Sequence, residues 1–186
     1  MKLLRTFIAV ELPAETRTYL FQTGNKMAEN ISERAVRWVA PENMHLTLRF
    51  LGDTPEDKLP AVTAELDAIT QQFQPFQLYL NEIGCFPNRK RPRVVWVGLA
   101  GELKSLNALH GRIEKAVQSL GWQAEGRPFR AHLTIGRVKD SSQARRLAWE
   151  QQLEKQVVPV SAVNLIESML RPSGPVYTIR HSSVFH

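Results

Sequence analysis

The sequence predicts an α+β fold made of two homologous lobes, and three observations support that prediction. The tetrapeptide His45-Leu46-Thr47-Leu48 returns almost unchanged, 87 residues later, as His132-Leu133-Thr134-Ile135. The same order of strand, helix, strand and helix patterns surrounds each copy. No Pro/Gly/Ser linker or low-complexity tract separates the halves. A pattern that recurs at a fixed offset is typical of an internal duplication.

The repeat extends beyond the tetrapeptides. An apolar run begins 38 residues before each histidine, and the two runs are Phe7-Ile8-Ala9-Val10 and Val94-Val95-Trp96-Val97. Each run is followed by a stretch with helical patterning, and each tetrapeptide is followed by another. Two His-Leu-Thr strings could arise by chance in unrelated strands, but the matched flanking order makes chance the poorer explanation.

The remaining elements follow from periodicity and from turn and capping residues. Strands are predicted at residues 5–11, 36–39, 45–51, 76–83, 93–99, 129–138, 157–170 and 176–184, and helices at 14–30, 56–71, 103–120 and 142–153. Thr54-Pro55 and Asp140-Ser141 are plausible helix starts, and Gly121 is a plausible helix stop. Gly52-Asp53 and Ser173-Gly174-Pro175 are turn signals.

Length and composition agree with one domain over residues 1–186, built from two intimate lobes. The chain has 186 residues, of which 43% are hydrophobic, enough for a sizeable core. Cys85 is the lone cysteine, so no internal disulfide is expected. The early apolar stretch is too short for a signal peptide, and no run approaches the 18 residues of a membrane span. We therefore expect a cytoplasmic monomer that does not associate with membranes.

The two tetrapeptides carry the chemistry that we predict. On a strand, His and Thr two positions apart project from one face, while the aliphatic residues project from the other. Two copies can bring two imidazoles and two hydroxyls to one cleft. Two imidazoles suffice for acid–base chemistry near neutral pH, with one neutral and accepting a proton and the other charged and donating one.

The net charge of +6 comes mostly from arginine clusters. One cluster is Arg89-Lys90-Arg91-Pro92-Arg93, and Arg127 and Arg130 precede the second motif. Guanidinium groups suit phosphate oxygens and a basic patch steers polyanions. Arg137 lies five residues after His132, and the intervening Gly136 would permit a close backbone approach or a bulge. Arg145-Arg146 is more simply a solvated helix face.

Several other chemistries find little support. The sequence has no GxxxxGK[ST] loop, no GxGxxG fingerprint and no GxSxG elbow. A zinc site is a weak alternative, because neither a Cys pair nor an HExxH spacing accompanies the histidines. We therefore expect no metal and no cofactor. Cys85 is predicted to be a small buried hydrophobe, and His110, His181 and His186 are assigned no role in the site.

The aromatic residues allow two interpretations. Trp38, Trp96, Trp122 and Trp149 are spaced as core or lobe-interface residues, although Trp38 could instead line the cleft. Phe50 takes the place after His45 that Arg137 takes after His132. A phenyl face at one motif and a guanidinium at the other would suit a nucleobase beside its phosphate. Core packing is an equally good interpretation of Phe50.

Paired His-x-Thr-x motifs on a duplicated α+β chain of this length resemble the two-histidine (2H) phosphoesterase superfamily. More narrowly, the chain resembles the bacterial RNA 2′,3′-cyclic phosphodiesterase or 2′-5′ RNA ligase subfamily. The similarity covers nearly the whole chain, in the segments Phe7-Ile8-Ala9-Val10-Glu11-Leu12-Pro13, Pro41-Glu42-Asn43-Met44-His45, Phe50-Leu51-Gly52 and Arg127-Pro128-Phe129-Arg130-Ala131-His132. The resemblance implies pseudo-twofold symmetry and two antiparallel sheets that face a central cleft, with helices outside.

The resemblance also implies an activity and the residues that perform it. It implies metal-independent hydrolysis of RNA 2′,3′-cyclic phosphate ends to a 2′-phosphate, with His45 as proton donor and His132 as proton acceptor. Thr47 and Thr134 would complete the catalytic set, and the substrate would be bound by Arg137, Phe50, Arg130 and Phe129. The sequence alone does not assign the two histidine roles, because the motifs are near-twins. The reverse reaction would be 2′-5′ ligation without ATP.

Two alternatives remain open from the residues themselves. An enzyme acting on small cyclic nucleotides or on a cyclic phosphate of ADP-ribose would keep both motifs but would not need the arginine clusters. A non-catalytic RNA-binding module would need the basic loops but not the paired histidines.

Overall fold

The computed structural model of the protein describes residues 2–172 and 174–186. Its strands are β1 Leu3–Glu11, β2 Val36–Trp38, β3 His45–Pro55, β4 Phe76–Phe86, β5 Val94–Gly101, β6 His132–Val138, β7 Val157–Val160, β8 Ala162–Arg171 and β9 Gly174–Val184. Its α-helices are α1 Ala14–Met27, α2 Leu59–Thr70, α3 Leu103–Ser119 and α4 Ser141–Ala144.

The strands form two antiparallel sheets, which confirms the predicted fold class. One sheet has the order β3-β1-β8-β9 and is called sheet A below. The other, sheet B, has the order β2-β6-β5-β4-β7. Strands β3 and β6 carry the two repeated tetrapeptides, and their Cα atoms come within 8 Å of each other. The two motifs therefore lie on the facing strands of the two sheets.

Each half of the sequence contributes a strand to the sheet of the other half. An offset of 87 residues relates β1 to β5, β3 to β6 and β4 to β8. Yet β4 pairs with β5 of the second half, and β8 pairs with β1 of the first half. The first half of the chain therefore supplies strands to both sheets, and so does the second.

The hydrophobic core lies between the sheets and their covering helices. Helix α3 shows why these residues form an amphipathic helix: Leu106, Leu109, Ile113 and Val117 recur at helical spacing and are all buried. The alternate residues Ile8, Val10, Leu46 and Leu48 bury the matching faces of β1 and β3. The opposite face of sheet A holds a separate small apolar cluster, which contains Phe7, Ala9 and Ile166. That opposite face is the one that carries the His and Thr side chains.

The predicted helix at 142–153 is wrong, because helix α4 ends at Ala144. Asp140 caps it as predicted and accepts hydrogen bonds from the backbone N–H groups of Ser142 and Gln143. Leu147 and Trp149 are then both buried, although they lie only two residues apart. Positions i and i+2 point in nearly opposite directions on a helix. Burying both side chains therefore requires an irregular path.

Other element boundaries shift for local reasons. The predicted strand 157–170 is two strands, interrupted at Ser161, and the predicted strand at 129–138 begins only at His132. Thr54 does not cap a helix, because β3 continues to Pro55 and a 3-10 turn precedes α2. Gly121 follows α3 with a φ of 101°, as expected of a helix stop. Of the predicted Ser173-Gly174-Pro175 turn, Ser173 lies outside the described residues.

A buried arginine fastens sheet A to the second half of the chain. Arg49 of β3 is only 7% exposed, and its Nε lies 2.7 Å from a carboxylate oxygen of Glu114 in α3. The same guanidinium contacts Glu125 and donates to the carbonyl oxygens of Phe50 and Gln123. A buried guanidinium needs most of its donors satisfied. This network therefore fixes β3 relative to α3.

No helix in residues 2–172 and 174–186 is both long enough and apolar enough to cross a membrane.

Replacing Gly136 by alanine should destabilise the fold by about 1–3 kcal/mol, the usual cost of overpacking a core. A Cβ at Gly136 would lie 2.8 Å from the indole of Trp38 and 2.9 Å from Val36. The indole cannot retreat, because it also packs on Gly24 of α1, where a Cβ would lie 2.7 Å away. Urea unfolding measures the change.

Gly111→Ala in α3 is the matched control, because a Cβ there meets nothing within 4 Å. The control should gain roughly 0.5–1 kcal/mol from helix propensity. Equal stability of Gly136→Ala and the wild type would show that Trp38 is not held between the two glycines.

Candidate active site

A β-bulge follows the threonine of each motif. Thr47 pairs with Ala9 and Arg49 with Ile8, so Leu48 is the extra residue on β3. Thr134 pairs with Trp96 and Gly136 with Val95, so Ile135 is the extra residue on β6. The two bulges occupy equivalent positions in the repeat. Each shifts the alternation of faces by one residue from that point onward.

The bulges determine which residues share the face of the histidines. In a regular strand, the residue five positions after a histidine would point to the opposite face. With the bulge, Phe50 and Arg137 face the same side as His45 and His132. Phe50 pairs with Phe7 and is 57% exposed, and Arg137 pairs with Val94 and is exposed. Arg49 and Gly136 turn inward instead and are buried.

His45 lies among aromatic rings on sheet A. Its ring centroid is 4.7 Å from that of Phe7 and 5.3 Å from that of Tyr177 in β9, the latter in an edge-on arrangement. Burial lowers the pKa of His45 from 6.5 to about 4, and a hydrogen bond with the Asn43 backbone opposes that shift. In the free protein His45 is therefore neutral at pH 7.

His132 is held in a related way on sheet B. Its Nδ1 lies 2.7 Å from the carbonyl oxygen of Arg130, so Nδ1 carries the proton and donates it. Nε2 is then free to act on another group. The ring of Phe86 stands at 89° to the imidazole, with centroids 5.2 Å apart, and Phe86 in turn contacts Trp96. In both motifs the histidine is hydrogen-bonded to the backbone of the residue two positions earlier, and aromatic side chains pack against the imidazole.

Several cations lie around the cleft. Arg137 and Arg5 are close enough to Tyr177 to oppose the rise in its pKa that burial causes. Arg37 of β2 pairs with Arg137 across the ladder. Arg130 is exposed and its carbonyl oxygen anchors His132. The structure thus brings Arg137 to the same face as both motifs.

Phe129 packs away from the histidines. It stacks on His110 of α3, with centroids 4.0 Å apart and an interplanar angle of 13°, and it packs against the hydrophobic core. These contacts favour a packing role for Phe129 over the predicted substrate contact. They also explain why His110 is only half-exposed.

The other aromatic and polar candidates divide between core and cleft. Trp38 packs against the core, whereas Trp96 lies on the cleft face of β5, where it pairs with Thr134 and contacts Phe86. Cys85 is buried, as predicted. His181 lies on the outer side of sheet A, where its Nε2 is 2.7 Å from Asp67 of α2.

A cavity of about 380 Å³ opens beside His45. Apolar side chains of β8 and β9, including Ile166 and Ile179, form part of its wall together with Tyr177. Three charged residues also line it: Glu11, Arg17 and Glu42. Cavities of this size fall at the small end of the range for ligand pockets, roughly 300–1,000 Å³.

No group of three or more His, Cys, Asp or Glu side chains suited to a metal ion occurs in the part of the chain that the structure describes.

Sequence reasoning missed the aromatic supports of the histidines and the charged residues of the cavity. Phe7 lay in the apolar run of the repeat, but its face could not be assigned without the bulge. Tyr177 lies on β9 and Glu11 lies at the end of β1. Only strand pairing brings these two residues to His45. A search for polar residues at strand ends would have found Glu11.

Comparisons with known proteins agree with this architecture. The sequence pattern of the LigT like Phosphoesterase family matches residues 10–96 and matches again at residues 97–177. The chain is 34% identical over 179 residues to the RNA 2′,3′-cyclic phosphodiesterase of Archaeoglobus fulgidus, covering 94% of this chain and 96% of that protein. It is 35% identical over 191 residues to the RNA 2′,3′-cyclic phosphodiesterase of Thermus thermophilus, covering 95% and 87%.

A solved structure shows the same fold. The crystal structure of E. coli LigT complexed with 3′-AMP superposes with a TM-score of 0.79 at 26% identity, over 99% of each chain. The two antiparallel sheets, the two family matches along the chain and the identities over nearly its full length lead to one assignment. The chain belongs to the family of LigT-like 2H phosphoesterases.

Proposed function

We propose that the protein hydrolyses the 2′,3′-cyclic phosphate ends of RNA to 2′-phosphates, using His45 and His132 as a metal-free acid–base pair. The observation that carries the proposal is the pair of His-x-Thr motifs on facing strands, with the imidazoles and hydroxyls on one face. The names of the relatives in A. fulgidus and T. thermophilus support the same reaction. The proposal includes action as a monomer in the cytoplasm, and the single cysteine, which cannot form an internal disulfide, fits a reducing compartment.

The reaction needs a base on one side of the phosphorus and an acid on the other. With Nδ1 bonded to the Arg130 carbonyl, neutral His132 presents the Nε2 lone pair, which can take a proton from the attacking water. The bond from phosphorus to the ribose 3′-oxygen then breaks, and His45 in its charged form protonates that oxygen. Thr47, Thr134 and Arg137 would hold the non-bridging oxygens as negative charge develops on them.

The proton-donor role requires a change in the pKa of His45, because it is about 4 in the free protein. A phosphate oxygen about 4 Å from the imidazolium would stabilise it by about 4 kcal/mol at an effective dielectric constant of 20. That energy corresponds to about three pKa units. Binding of the substrate would therefore bring the pKa of His45 close to neutrality and supply the proton at the moment it is needed.

Ligation follows from the same groups with a different nucleophile. If an RNA 5′-hydroxyl replaces water, His132 can deprotonate that hydroxyl and its oxygen attacks the phosphorus. The bond from phosphorus to the ribose 3′-oxygen breaks, His45 protonates that oxygen, and a 2′-5′ bond results without ATP. The strain of the five-membered cyclic phosphate supplies the driving force. We propose ligation as a side activity of the same site.

Replacing His45 or His132 by alanine should each reduce kcat by about 10²–10⁴-fold while the chain still folds. The double variant should be little worse than either single variant, because the pair acts as a unit. The assay offers an RNA oligonucleotide ending in a 2′,3′-cyclic phosphate, with EDTA present, and determines the position of phosphate in the product. His186→Ala, an exposed histidine at the chain end, is the matched control.

Near-normal turnover by either single variant would exclude the two-histidine mechanism. Complete loss of wild-type activity in EDTA, restored by a divalent cation, would point instead to a metal site.

A nucleoside 2′-phosphate should raise the pKa of His45 by more than one unit from its low value in the free protein. Burial favours the neutral ring, and the bound anion favours the charged ring, so the two effects have opposite signs. An NMR titration of the imidazole resonances, assigned with the His45→Ala variant, measures both values. No change in this pKa on adding the ligand would contradict the proposed charging of His45 by the substrate, and a value near 6.5 in the free protein would show that burial does not hold the ring neutral.

The basic loop at residues 88–93 offers a test of RNA against small nucleotides. Arg89 is held by Glu150 at 2.7 Å and lies over Trp149, whereas Lys90 and Arg91 are exposed. The backbone of Arg93 is bonded to both Phe86 and Val138, which places the loop at the end of sheet B that carries Arg137. An RNA chain whose terminal phosphate lies at Arg137 would pass this loop.

The Lys90→Gln/Arg91→Gln variant should bind long RNA more weakly while its turnover of a cyclic mononucleotide hardly changes. Each lost phosphate contact should reduce the slope of log affinity against log salt by roughly 0.7. Lys104→Gln/Arg112→Gln on the exposed face of α3 removes the same charge and should leave the slope nearly unchanged. Arg137→Ala should impair both substrates, because the reacting phosphate is common to them.

Unchanged relative efficiency of the loop variant on long RNA and on a mononucleotide would favour a small natural substrate.

A further inference from the structure

We propose that the cavity beside His45 binds the base of the nucleotide that carries the cyclic phosphate, and that its charged residues Glu11, Arg17 and Glu42 select guanine. This inference rests on the proposed function, since it assigns the substrate side of the same site. In that reaction His45 protonates the ribose oxygen, so the ribose and base lie on the His45 side of the phosphorus.

Glu11 and Glu42, which line the cavity, are not repeated at the equivalent positions of the second half. Glu11 is the cross-strand partner of His45, and the equivalent partner of His132 is Gly98. The offset of 87 residues also relates Glu42 to Phe129, which packs on α3. Glu11 and Glu42 therefore have no carboxylate at the equivalent repeat positions, although the side chain of Glu82 lies close to Gly98. Such an asymmetry is expected where one side of the phosphorus takes a nucleoside and the other takes water.

The charged residues of the cavity suit a neutral base better than a phosphate. Two glutamates and one arginine give its charged lining a formal net charge of −1, in a chain with a net charge of +6. The ion pairs of the described residues leave Glu11, Arg17 and Glu42 without an opposite charge. Two carboxylates repel a phosphate, whereas they accept hydrogen bonds from a neutral base. The basic groups around Arg137 are better suited to bind the phosphate.

The carboxylate of Glu11 is held in position by Asn164 of the neighbouring strand β8. Its Oε2 accepts a hydrogen bond of 3.3 Å from the side-chain amide of Asn164, which is 3% exposed. The other carboxylate oxygen remains available on the cavity side of the strand. Ile179 is 45% exposed and offers an apolar packing surface for a base, whereas Ile166 beside it is buried.

Guanine is the base whose edge matches these three charges best. Its N1–H and N2 amino group are adjacent donors that a carboxylate can bind with both oxygens, and its O6 and N7 accept from a guanidinium. Adenine and cytosine present one amino group each. Uracil places two carbonyl oxygens around its single N–H, and these oxygens would face the carboxylates.

Initial rates on the four nucleoside 2′,3′-cyclic monophosphates test the inference. The wild type should show the highest kcat/KM for the guanine substrate and the lowest for the uracil substrate. Glu11→Gln, Glu42→Gln and Arg17→Gln are close in size to the native residues, and at least one glutamate variant and Arg17→Gln should lower the guanine-to-uracil ratio by about 5- to 150-fold. Turnover of the uracil substrate should change far less.

Glu15→Gln is the matched control, since Glu15 is exposed in the same first turn of α1 and does not line the cavity. Equal kcat/KM values for the four bases, or ratios unchanged in all three variants, would overturn the inference while leaving the proposed function intact. Failure of the wild type to hydrolyse any of the four substrates, with RNA ends also inert, would overturn the proposed function itself. Thermal melting of each variant separates loss of fold from loss of selectivity.

Discussion

The paired β-bulges are the constraint on which the site depends. A strand alternates its faces strictly, so a histidine and a cation five residues later cannot share a face unless one extra residue intervenes. Leu48 and Ile135 are those extra residues. Both are buried, which stabilises each bulge through the core rather than through the site. The same shift sends Arg49 inward, where it binds Glu114 and fastens β3 to α3. The placement of Arg137 on the cleft and the joining of the two halves therefore have one geometric cause.

The charged residues near the His132 motif differ in sign from those near the His45 motif. Cations gather around Arg137 and the 88–93 loop, while the cavity beside His45 is lined by two carboxylates. The two imidazoles also differ, although their motifs are near-identical: His45 is desolvated among Phe7 and Tyr177, and its pKa falls. The two halves thus share a backbone and differ in what surrounds each histidine. A duplicated fold can in this way treat the two sides of one phosphorus differently.

The sequence predicted the fold class, most elements and the sharing of a face by His and Thr, because those follow from local periodicity and from the repeat. It failed at residues 142–153, where burial of Leu147 and Trp149 outweighs helical spacing. It offered Phe129 as a substrate contact, whereas the ring stacks on His110 of α3, a contact between distant segments that local patterns do not predict. Glu11 and Tyr177 reach His45 only through long-range pairing of β1, β3, β8 and β9. Such pairing has no local signature.

Because β4 and β8 each pair with a strand from the other half of the chain, neither half can complete a sheet by itself. A fragment ending after β4 would hold β1 without β8 and β4 without β5, so β1 and β4 would each expose an unpaired edge. A second copy of such a fragment would supply the missing partner by reciprocal exchange, as in a domain-swapped dimer with a closed twofold axis. The present chain has the form of that dimer with its two subunits fused end to end. Fusion permits what a homodimer forbids, namely Glu11 at one position of the repeat and Gly98 at the equivalent position.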